Sequence, residues 1–573
     1  PPVPELDEPM MVDTMVGEMA PIPSAVSPVW LPPLPDWMSF AQLGYELEQR
    51  ETGPALPGKG PLGPVVGVLD DPAHQWQGPW HLDLTSRGGH ISMQGGPQSG
   101  RSTALRSIGT GLALCCTPSE VAIYGIDLTG SALKPLENLP HVGGVASRKE
   151  AEKARRTVEE IQQMLDEREA LMARHGWDSF AEVRRARGTE EITTDLGCDV
   201  VLLVDGFIRT RDEREPLEAG MKDILSRGAA MGVHVIVTVN RPGDLRADEQ
   251  AAFGNSIEFA LNEPRDSQID RKKAEQITGD RPGRALTQDK LIGHFALPSL
   301  EQDAMGTAAE QTTLVNSLDF GETPVRQVRV LPQLVEHTAM EVPKKPGTVS
   351  LGLRDGDLRP EELALTGRDQ GLIIYGDTQT GRTSVLESIV VQLMQQYDPA
   401  DMKLAIFDPR RLLADVAPEE FVGGYANNQE MYERIRGGLA ARLAERRTMS
   451  AEDLAEEPHT FLIVDDYDIL NAAMPRPLEP LMQHVPSAPD IKFHVVLARR
   501  YSGIMHDPLS EAVRAVGAPS LMLSGDPSEG PVVGRVRPEL MGPGRGKLMR
   551  QGRRPRYVQT YLSEGAPSRH IDA

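Results

Sequence analysis

Cysteine, aromatic side chains, positive charge and long apolar runs are all scarce in this chain of 573 residues. Three cysteines are too few for a disulfide framework and indicate a reducing compartment. The net charge of -23 argues against general affinity for DNA or RNA, because that affinity requires Lys and Arg to neutralise phosphates. No segment approaches the roughly 20 apolar residues that a membrane-spanning helix needs. The composition predicts an ordinary soluble globular protein of several domains.

What the chain does contain is one phosphate-binding pattern, present twice. Both copies follow the P-loop pattern G-x-x-x-x-G-K-[ST], except that Arg stands in place of Lys. The first predicted ATP-binding loop comprises Gly95, Gly96, Pro97, Gln98, Ser99, Gly100, Arg101, Ser102 and Thr103. The second comprises Gly376, Asp377, Thr378, Gln379, Thr380, Gly381, Arg382, Thr383 and Ser384. A chance glycine-rich turn is the alternative for either copy alone, but two copies in the same context make it rare.

The chemistry of the loops predicts ATP and Mg²⁺ as cofactors. Backbone N–H groups of such a loop point at phosphate oxygens, and the following helix adds its positive N-terminal dipole. Ser102 and Thr383 stand where a hydroxyl holds magnesium. Arg101 and Arg382 keep the positive charge but present it as a wide planar fork, which can grip phosphate without following a transferred phosphoryl group as Lys does.

Acidic residues downstream predict the catalytic part of each site. Asp205 and Asp465 each end an apolar strand, as the residue that organises magnesium does in P-loop enzymes, although capping of a turn is the alternative. The next position, where many P-loop motors have a Glu that orients water, holds Gly206 in the first copy and Asp466 in the second. We therefore expect Asp205, Asp465 and Asp466 to be the catalytic candidates and hydrolysis to be weak or absent.

The order of apolar strands and helices repeats at an offset of about 260–280 residues, which suits a duplicated domain. Continuous apolar strands that alternate with helices predict an α/β fold of two tandem P-loop NTPase domains, with mostly parallel sheets flanked by helices. The predicted organisation is an extended Pro-rich arm at residues 1–64, a first domain at 65–323, a linker at 324–346 and a second domain at 347–573.

Two further pairs of residues recur in the repeat. Arg284 and Arg545 lie in Pro-Gly-Arg turns and are either sensors or fingers for a neighbouring nucleotide, or solvent-exposed turn residues. His234 and His494 lie within apolar strands and are predicted to be core histidines, since no zinc-ligand spacing accompanies them.

These features together resemble the EccC family, the FtsK/SpoIIIE-type ATPases of type VII (ESX) secretion systems. The resemblance rests on the two P-loops and on three segments: Trp30–Leu34 (Trp-Leu-Pro-Pro-Leu), Leu139–Ala146 (Leu-Pro-His-Val-Gly-Gly-Val-Ala) and Arg281–Arg284 (Arg-Pro-Gly-Arg). It covers nearly the whole chain and matches the second and third ATPase domains, or the separately encoded subunit of split versions. The membrane-anchored N-terminal part and the first ATPase domain are missing from it.

The resemblance implies a function, partners and a location. In that family the later domains are degenerate and bind ATP tightly, and the last domain receives the C-terminal export signal of small helical-hairpin (WXG100-type) substrates. It implies contact with membrane-anchored secretion subunits or a first ATPase domain, homo-oligomerisation such as a hexamer, and a cytoplasmic location at the inner face of the cell membrane. An apolar groove for the signal is implied after Pro346, but the sequence does not identify its lining.

Three functions follow for comparison. The first is an ATP-binding component of a type VII secretion motor, in which substrate docking and bound nucleotide promote assembly. The alternative is an FtsK/SpoIIIE-like DNA translocase. The net acidity of the chain argues against it, and we therefore expect no nucleic-acid partner. A free-standing ATPase with ordinary turnover is the third.

Overall fold

The computed structural model describes residues 31–58, 62–85, 89–189, 192–211, 214–321, 325–473, 476–502 and 507–563, together with Met11, Met15 and Gly60. Most of the predicted Pro-rich arm before Leu31, including Trp30, lies outside these residues. The chain divides into two compact units, Pro1–Val328 and Arg329–Ala573.

Unit 1 is built on a ten-stranded sheet with the order β4-β3-β12-β11-β10-β5-β9-β8-β6-β7. The strands from β10 to β7 in this order are parallel, and the others are antiparallel. The bounds are β1 Glu48–Arg50, β2 Gly53–Ala55, β3 Val65–Asp71, β4 Trp76–His81, β5 Ile91–Gln94, β6 Val121–Asp127, β7 Val142–Ser147, β8 Asp199–Asp205, β9 Val233–Val239, β10 Asn255–Phe259, β11 Arg284–Thr287 and β12 Ile292–Phe295.

Helices cover both faces of this sheet, as continuous apolar strands require. Successive residues of β6 point to opposite faces, so that Ile123 packs in the core that holds Ile108 and Tyr124 in the core that holds Ile161. The helices are α1 Arg101–Cys115, α2 Ala151–His175, α3 Phe180–Ala186, α4 Thr194–Gly197, α5 Arg214–Arg227, α6 Ala247–Ala252, α7 Arg271–Ala274 and α8 Ala308–Asn316.

Unit 2 repeats this architecture. Its sheet has the order β15-β14-β23-β22-β21-β16-β20-β19-β17-β18, and β13 pairs with β23. Its strands are β13 Val335–Glu336, β14 Thr348–Arg354, β15 Pro360–Ala364, β16 Gly371–Tyr375, β17 Met402–Phe407, β18 Val422–Ala426, β19 His459–Val464, β20 Phe493–Arg499, β21 Ser520–Leu523, β22 Arg545–Met549 and β23 Arg556–Leu562. Its helices are α9 Arg382–Gln396, α10 Gln429–Arg446, α11 Ala451–Glu456, α12 Tyr467–Ala472 and α13 Pro508–Ala515.

The fold class is the predicted one, with two mixed and largely parallel sheets in tandem. The part of the predicted arm that the structure describes is more than an extended strand: Leu34, Met38, Phe40 and Leu56 are buried in unit 1. Phe40 packs in the same core as α1. Residues 31–58 therefore contribute to the core of unit 1, which their proline content alone did not indicate.

Candidate functional site

The two P-loops have the same backbone conformation. In each unit a buried strand leads into the loop and a 15-residue helix follows it, with Gly100 (φ 97°) and Gly381 (φ 104°) directly before the helix. Gln98 (φ 59°) and Gln379 (φ 63°) also lie in the left-handed region, at the same place in each loop. The shared conformation curls both loops around one point, as phosphate binding requires.

Hydrogen-bond donors at these points fit a triphosphate. The first helical bonds run from the Ala104 N–H to the Gly100 carbonyl (2.9 Å) and from the Val385 N–H to the Gly381 carbonyl (3.1 Å). The N–H groups before them precede the helical ladder and point out of the positive end of the helix dipole. In unit 1 the buried Ser99 hydroxyl also has no partner among the described residues.

A hydroxyl–carboxylate pair stands beside each loop. The Ser102 Oγ donates to the Asp205 Oδ2, and the Thr383 Oγ1 donates to the Asp465 Oδ2, both at 2.7 Å. A hydroxyl and a carboxylate held this close are a donor set that magnesium accepts. Within each unit the structure thus brings together the two residues predicted to organise the metal.

The surroundings of the two carboxylates differ. Asp205 also accepts hydrogen bonds from the hydroxyls of Thr238 and Thr129. Asp465 is 1% exposed, and in the part of the chain that the structure describes its hydroxyl partner is Thr383 alone. Burial raises the pKa of Asp465 to about 6, although the Thr383 bond opposes the shift and the charge of Asp466 adds to it.

Both P-loop arginines turn back onto the protein. The Arg101 guanidinium donates to the Val239 carbonyl and to the Asn240 side-chain oxygen. In unit 2 the Arg382 guanidinium donates to the Gly376 carbonyl (2.7 Å) and to the Asp466 Oδ1 (2.5 Å). Part of each guanidinium is therefore already engaged by the protein and is not directed only at the phosphate position.

Asp466 is held as an ion-pair partner rather than as a free base. Its second oxygen, Oδ2, accepts from the Arg410 Nε at 2.8 Å, and its side chain is 4% exposed. It has a left-handed backbone (φ 43°), as Gly206 does at the matching place in unit 1 (φ 80°). With one oxygen bound to Arg382 and the other to Arg410, the carboxylate has little room left to orient a water molecule.

Arg284 and Arg545 are both buried, each 8% exposed, so the alternative of a solvent-exposed turn residue is wrong. The Arg284 guanidinium donates to the carbonyls of Leu34 and Pro35, and that of Arg545 donates to the carbonyls of Leu331 and Pro332. The two arginines thus anchor the segment that precedes each sheet. A sensor or finger role stays a prediction.

The same turns contact the P-loops. The Gly283 N–H donates to the Ser99 carbonyl and the Gly544 N–H to the Thr380 carbonyl, both at 2.9 Å. A side chain on Gly100 would lie 2.5 Å from the Gly283 nitrogen. The Pro-Gly-Arg turns therefore stabilise the conformation of the P-loops by packing and hydrogen bonding against them.

His234 and His494 are buried at matching strand positions, as expected of core histidines. His234 contacts the Gly89 carbonyl, whereas His494 bonds to His459 at 2.9 Å.

A second candidate site lies at the far edge of each parallel sheet, and in unit 1 the chain itself fills it. The Tyr124 hydroxyl donates to the Arg326 carbonyl (2.7 Å), and the Val328 N–H donates to the Gly143 carbonyl (2.8 Å). The Arg326 guanidinium pairs with Glu160, Glu167 and Asp195 of the surrounding helices. A side chain on Gly143 would lie 2.5 Å from the Arg326 carbonyl oxygen, so the glycine makes room for the segment Val325–Val328.

Among the residues that the structure describes, the matching place in unit 2 is an open groove of about 610 Å³ between β17, β18 and α10. Ala405 pairs with Gly424 as Tyr124 pairs with Gly144, so a methyl group replaces a phenol ring. Gly438 precedes the buried Arg446 by eight residues, as Glu160 precedes the buried Arg168. The groove is lined by Lys403, Leu404, Ala405, Gly423, Gly424, Tyr425, Arg434, Ile435, Gly438, Leu439, Arg442, Arg446, Glu457, Pro458 and Thr460.

Sequence reasoning missed Thr129, Thr238 and Arg410 around the nucleotide site, and it did not find the groove. Thr129 and Arg410 each stand two residues after a strand-ending aspartate, Asp127 or Asp408, which was the available signal. The groove lining comes from β17, β18, α10 and the start of β19 with the segment before it, so no local pattern could have revealed it.

Fold and loops define a tandem P-loop NTPase. A model of the FtsK/SpoIIIE family matches residues 71–297. The ESX-1 secretion system protein EccCb1 of Mycolicibacterium smegmatis is 30% identical over 94% of this chain and 95% of its own length. The chain belongs to the EccC family of FtsK/SpoIIIE-type ATPases of ESX (type VII) secretion systems.

Relatives from Thermomonospora curvata extend the comparison. Its ESX secretion system protein EccC is 33% identical over 97% of this chain, which spans only 44% of that relative's length. A structure of its ATPases 2 and 3 in complex with a signal sequence peptide superposes with a TM-score of 0.77 at 32% identity, over 93% of this chain and 100% of that one. Among the described residues, no helix is both long and apolar enough to cross a bilayer.

Proposed function

We propose that this chain is an ATP-binding component of a type VII secretion motor that recognises WXG100-type substrates by a C-terminal signal peptide. It couples nucleotide-stabilised assembly to export. The observation that carries the proposal is the open groove of unit 2, whose counterpart in unit 1 is filled by the chain's own segment. The unit 1 segment is a template for the extended backbone contacts that a peptide would make.

The lining of the groove indicates the chemistry of the peptide. Apolar surface comes from Leu404, Ile435 and Leu439, and positive charge comes from lining residues that include Lys403 and Arg434. A peptide with apolar side chains and acidic flanking residues matches both features. The T. curvata complex with a signal sequence peptide supports this assignment, because its two ATPase domains share the fold of this chain.

The nucleotide sites suit retention of ATP better than its hydrolysis. The loop N–H groups would hold the phosphates, and Ser102 with Asp205, or Thr383 with Asp465, would hold magnesium. Bound magnesium supplies neutralisation of phosphate charge. Water activation is weak in both units, since Gly206 has no side chain and two arginines hold Asp466. ATP bound only to the folded state then stabilises each unit.

We assign the remaining features of the function by family. The chain acts in the cytoplasm at the inner face of the cell membrane, together with membrane-anchored secretion subunits or a first ATPase domain. Substrate docking promotes a homo-oligomer such as a hexamer, and no nucleic acid takes part.

The groove is tested by filling it. A side chain at Gly438 meets no atom within 4 Å, so Gly438→Phe places a ring in the groove without disturbing the core. We expect this variant of the full chain to lose at least about tenfold in affinity for the T. curvata signal sequence peptide, measured by fluorescence anisotropy. Gly437→Phe is the matched control, because Gly437 is equally open but lies outside the groove lining. Equal peptide binding by both variants would remove the groove from the proposal.

Retention of ATP is tested on the purified chain. Chromatography of the released nucleotide should show ATP rather than ADP, and steady-state phosphate release should stay well below about 1 s⁻¹, the low end of ordinary enzyme turnover. Ordinary turnover would favour a free-standing ATPase instead.

A further inference from the structure

Tyr425 connects the groove of unit 2 to the interior of the unit. Tyr425 lines the groove, and its hydroxyl donates to the Asp408 Oδ2 at 2.9 Å. Burial raises the pKa of Tyr425 to about 12, so the phenol stays protonated and donates this hydrogen bond. Asp408 is fully buried, and its other oxygen has no partner among the described residues. The hydroxyl of Tyr425 is therefore a substantial part of what stabilises this buried carboxylate.

Asp408 in turn holds the turn that carries Arg410. Its Oδ2 also accepts from the Leu413 N–H at 2.6 Å, and its carbonyl accepts from the Arg411 N–H at 3.2 Å. Arg410 lies within this clamped turn, and its Nε donates to Asp466. A change in the position of Asp408 would therefore shift the position of Arg410.

Asp466 completes the path to the nucleotide site. Its two oxygens are divided between the guanidinium groups of Arg410 and Arg382. A stronger ion pair between Arg410 and Asp466 neutralises more of the negative charge of the carboxylate. Asp466 then attracts Arg382 less strongly, and Arg382 is freer to bind a phosphate. We call the five residues of this path the relay: Tyr425, Asp408, Arg410, Asp466 and Arg382.

We propose that the relay couples peptide docking in the groove to ATP binding at the second P-loop, and that the coupling is positive. This inference rests on the proposed function of the groove. A peptide that covers Tyr425 excludes water from its hydroxyl, which strengthens the bond to Asp408 in the lower local dielectric. The turn then presents Arg410 firmly to Asp466, and Arg382 is released toward the phosphates.

The described residues of unit 1 do not form an equivalent path. Val145 stands at the strand position of Tyr425, Thr129 at that of Arg410, and Gly206 at that of Asp466. Asp127, at the place of Asp408, instead accepts from the backbone N–H groups of Gly130 and Leu133 and from Thr129. The relay thus occurs in the unit whose groove is open.

The coupling is measured as the ratio of ATP affinities of the full chain with and without the T. curvata signal sequence peptide. We expect the peptide to tighten ATP binding by about fivefold or more in the unaltered chain, the usual lower limit of allosteric coupling. Tyr425→Phe should bring the ratio below about twofold. Tyr397→Phe is the control and should keep the full ratio, because Tyr397 packs on His459 and Phe461 away from the relay.

A second variant needs no peptide. Arg410→Ala should weaken ATP binding several-fold, because Asp466 is then paired with Arg382 alone, and Asp466→Asn in the same chain should restore it. Arg410 is half-exposed, so its loss should leave the fold intact.

The outcomes separate the two proposals. Peptide binding without coupling, or equal effects of Tyr425→Phe and Tyr397→Phe, would overturn the relay and leave the proposed function standing. An Arg410→Ala variant with unchanged ATP affinity would also overturn it. Absence of peptide binding to the unaltered chain would overturn the proposed groove function, and the relay with it.

Discussion

Arg382 and Asp466 show how the meaning of a residue depends on its neighbours. As single letters they are a damaged P-loop lysine and a shortened catalytic glutamate. In the structure they neutralise each other, and Arg410 joins them on the same carboxylate. In unit 1 the corresponding positions hold Gly206 and, beside it, Thr129. The two nucleotide sites therefore differ at both positions of this contacting pair.

Gly206 provides a prediction at this scale. Its φ of 80° lies in the left-handed region, and a side chain there would approach the Thr129 Cγ2 to 2.5 Å. We expect Gly206→Ala to destabilise unit 1 by about 1–3 kcal/mol, from backbone strain and overpacking together. Denaturant unfolding measures it. Gly130→Ala is the control, because Gly130 has open space around it; equal stability of the two variants would contradict the prediction.

At the scale of elements, a buried arginine in each unit donates hydrogen bonds to the segment that precedes the sheet. Arg284 begins β11 and binds carbonyls near the start of the described chain, and Arg545 begins β22 and binds carbonyls just before β13. Both follow a glycine that is itself bonded to a P-loop carbonyl. The segment, the turn and the loop therefore depend on one another.

The anchor can be tested in unit 1. Arg284→Ala removes two hydrogen bonds from a buried cation to the carbonyls of Leu34 and Pro35. We expect a loss of about 1–3 kcal/mol and faster proteolysis near residue 35, measured by thermal unfolding and limited digestion. Arg281→Ala should change neither, because Arg281 is half-exposed and contacts only the exposed Asp36 among the described ion pairs. Similar digestion of both variants would argue against the anchor.

At the scale of the whole molecule, five histidines are held in neutral form, four of them buried and His459 partly buried. Burial lowers the pKa of each to about 4 or, for one, about 3; they are His90, His141, His294, His459 and His494. Unfolding exposes them to water, where the pKa returns to about 6.5.

Stability should therefore fall as the pH drops. Above pH 6.5 both states leave these groups neutral, whereas between about 6.5 and 4 only the unfolded chain takes up protons, so acid favours unfolding. Each group can contribute up to about 1.4 kcal/mol per pH unit in that window. Asp465 works the other way because its pKa is raised to about 6, but it is one group against five. Denaturant midpoints from pH 7 to 5 measure the slope, and His459→Gln should make it shallower; a flat profile would contradict the prediction.

Sequence alone was enough for the parts of this protein that local patterns encode. Both loops with their flanking strands and helices were predicted, because glycine spacing and apolar runs act over a few residues. Asp205 and Asp465 were found because each ends such a run. Arg410 and Thr129 were not, because only the packing of neighbouring strands brings them to the site.

The order of residues established that the chain contains two copies of a nucleotide-binding α/β domain with altered P-loops. It could do so because backbone conformation and strand burial follow from local composition. Tertiary structure decided that Val325–Val328 fills the edge of the sheet in unit 1 and that the described residues of unit 2 leave the same edge open. It also decided that the two carboxylate oxygens of Asp466 form ion pairs with two different arginines, Arg382 and Arg410. Those outcomes depend on the volume and charge of side chains that pack together although they are far apart in the chain. The equivalent strand positions show this, since unit 1 has the bulky Tyr124 where unit 2 has the small Ala405.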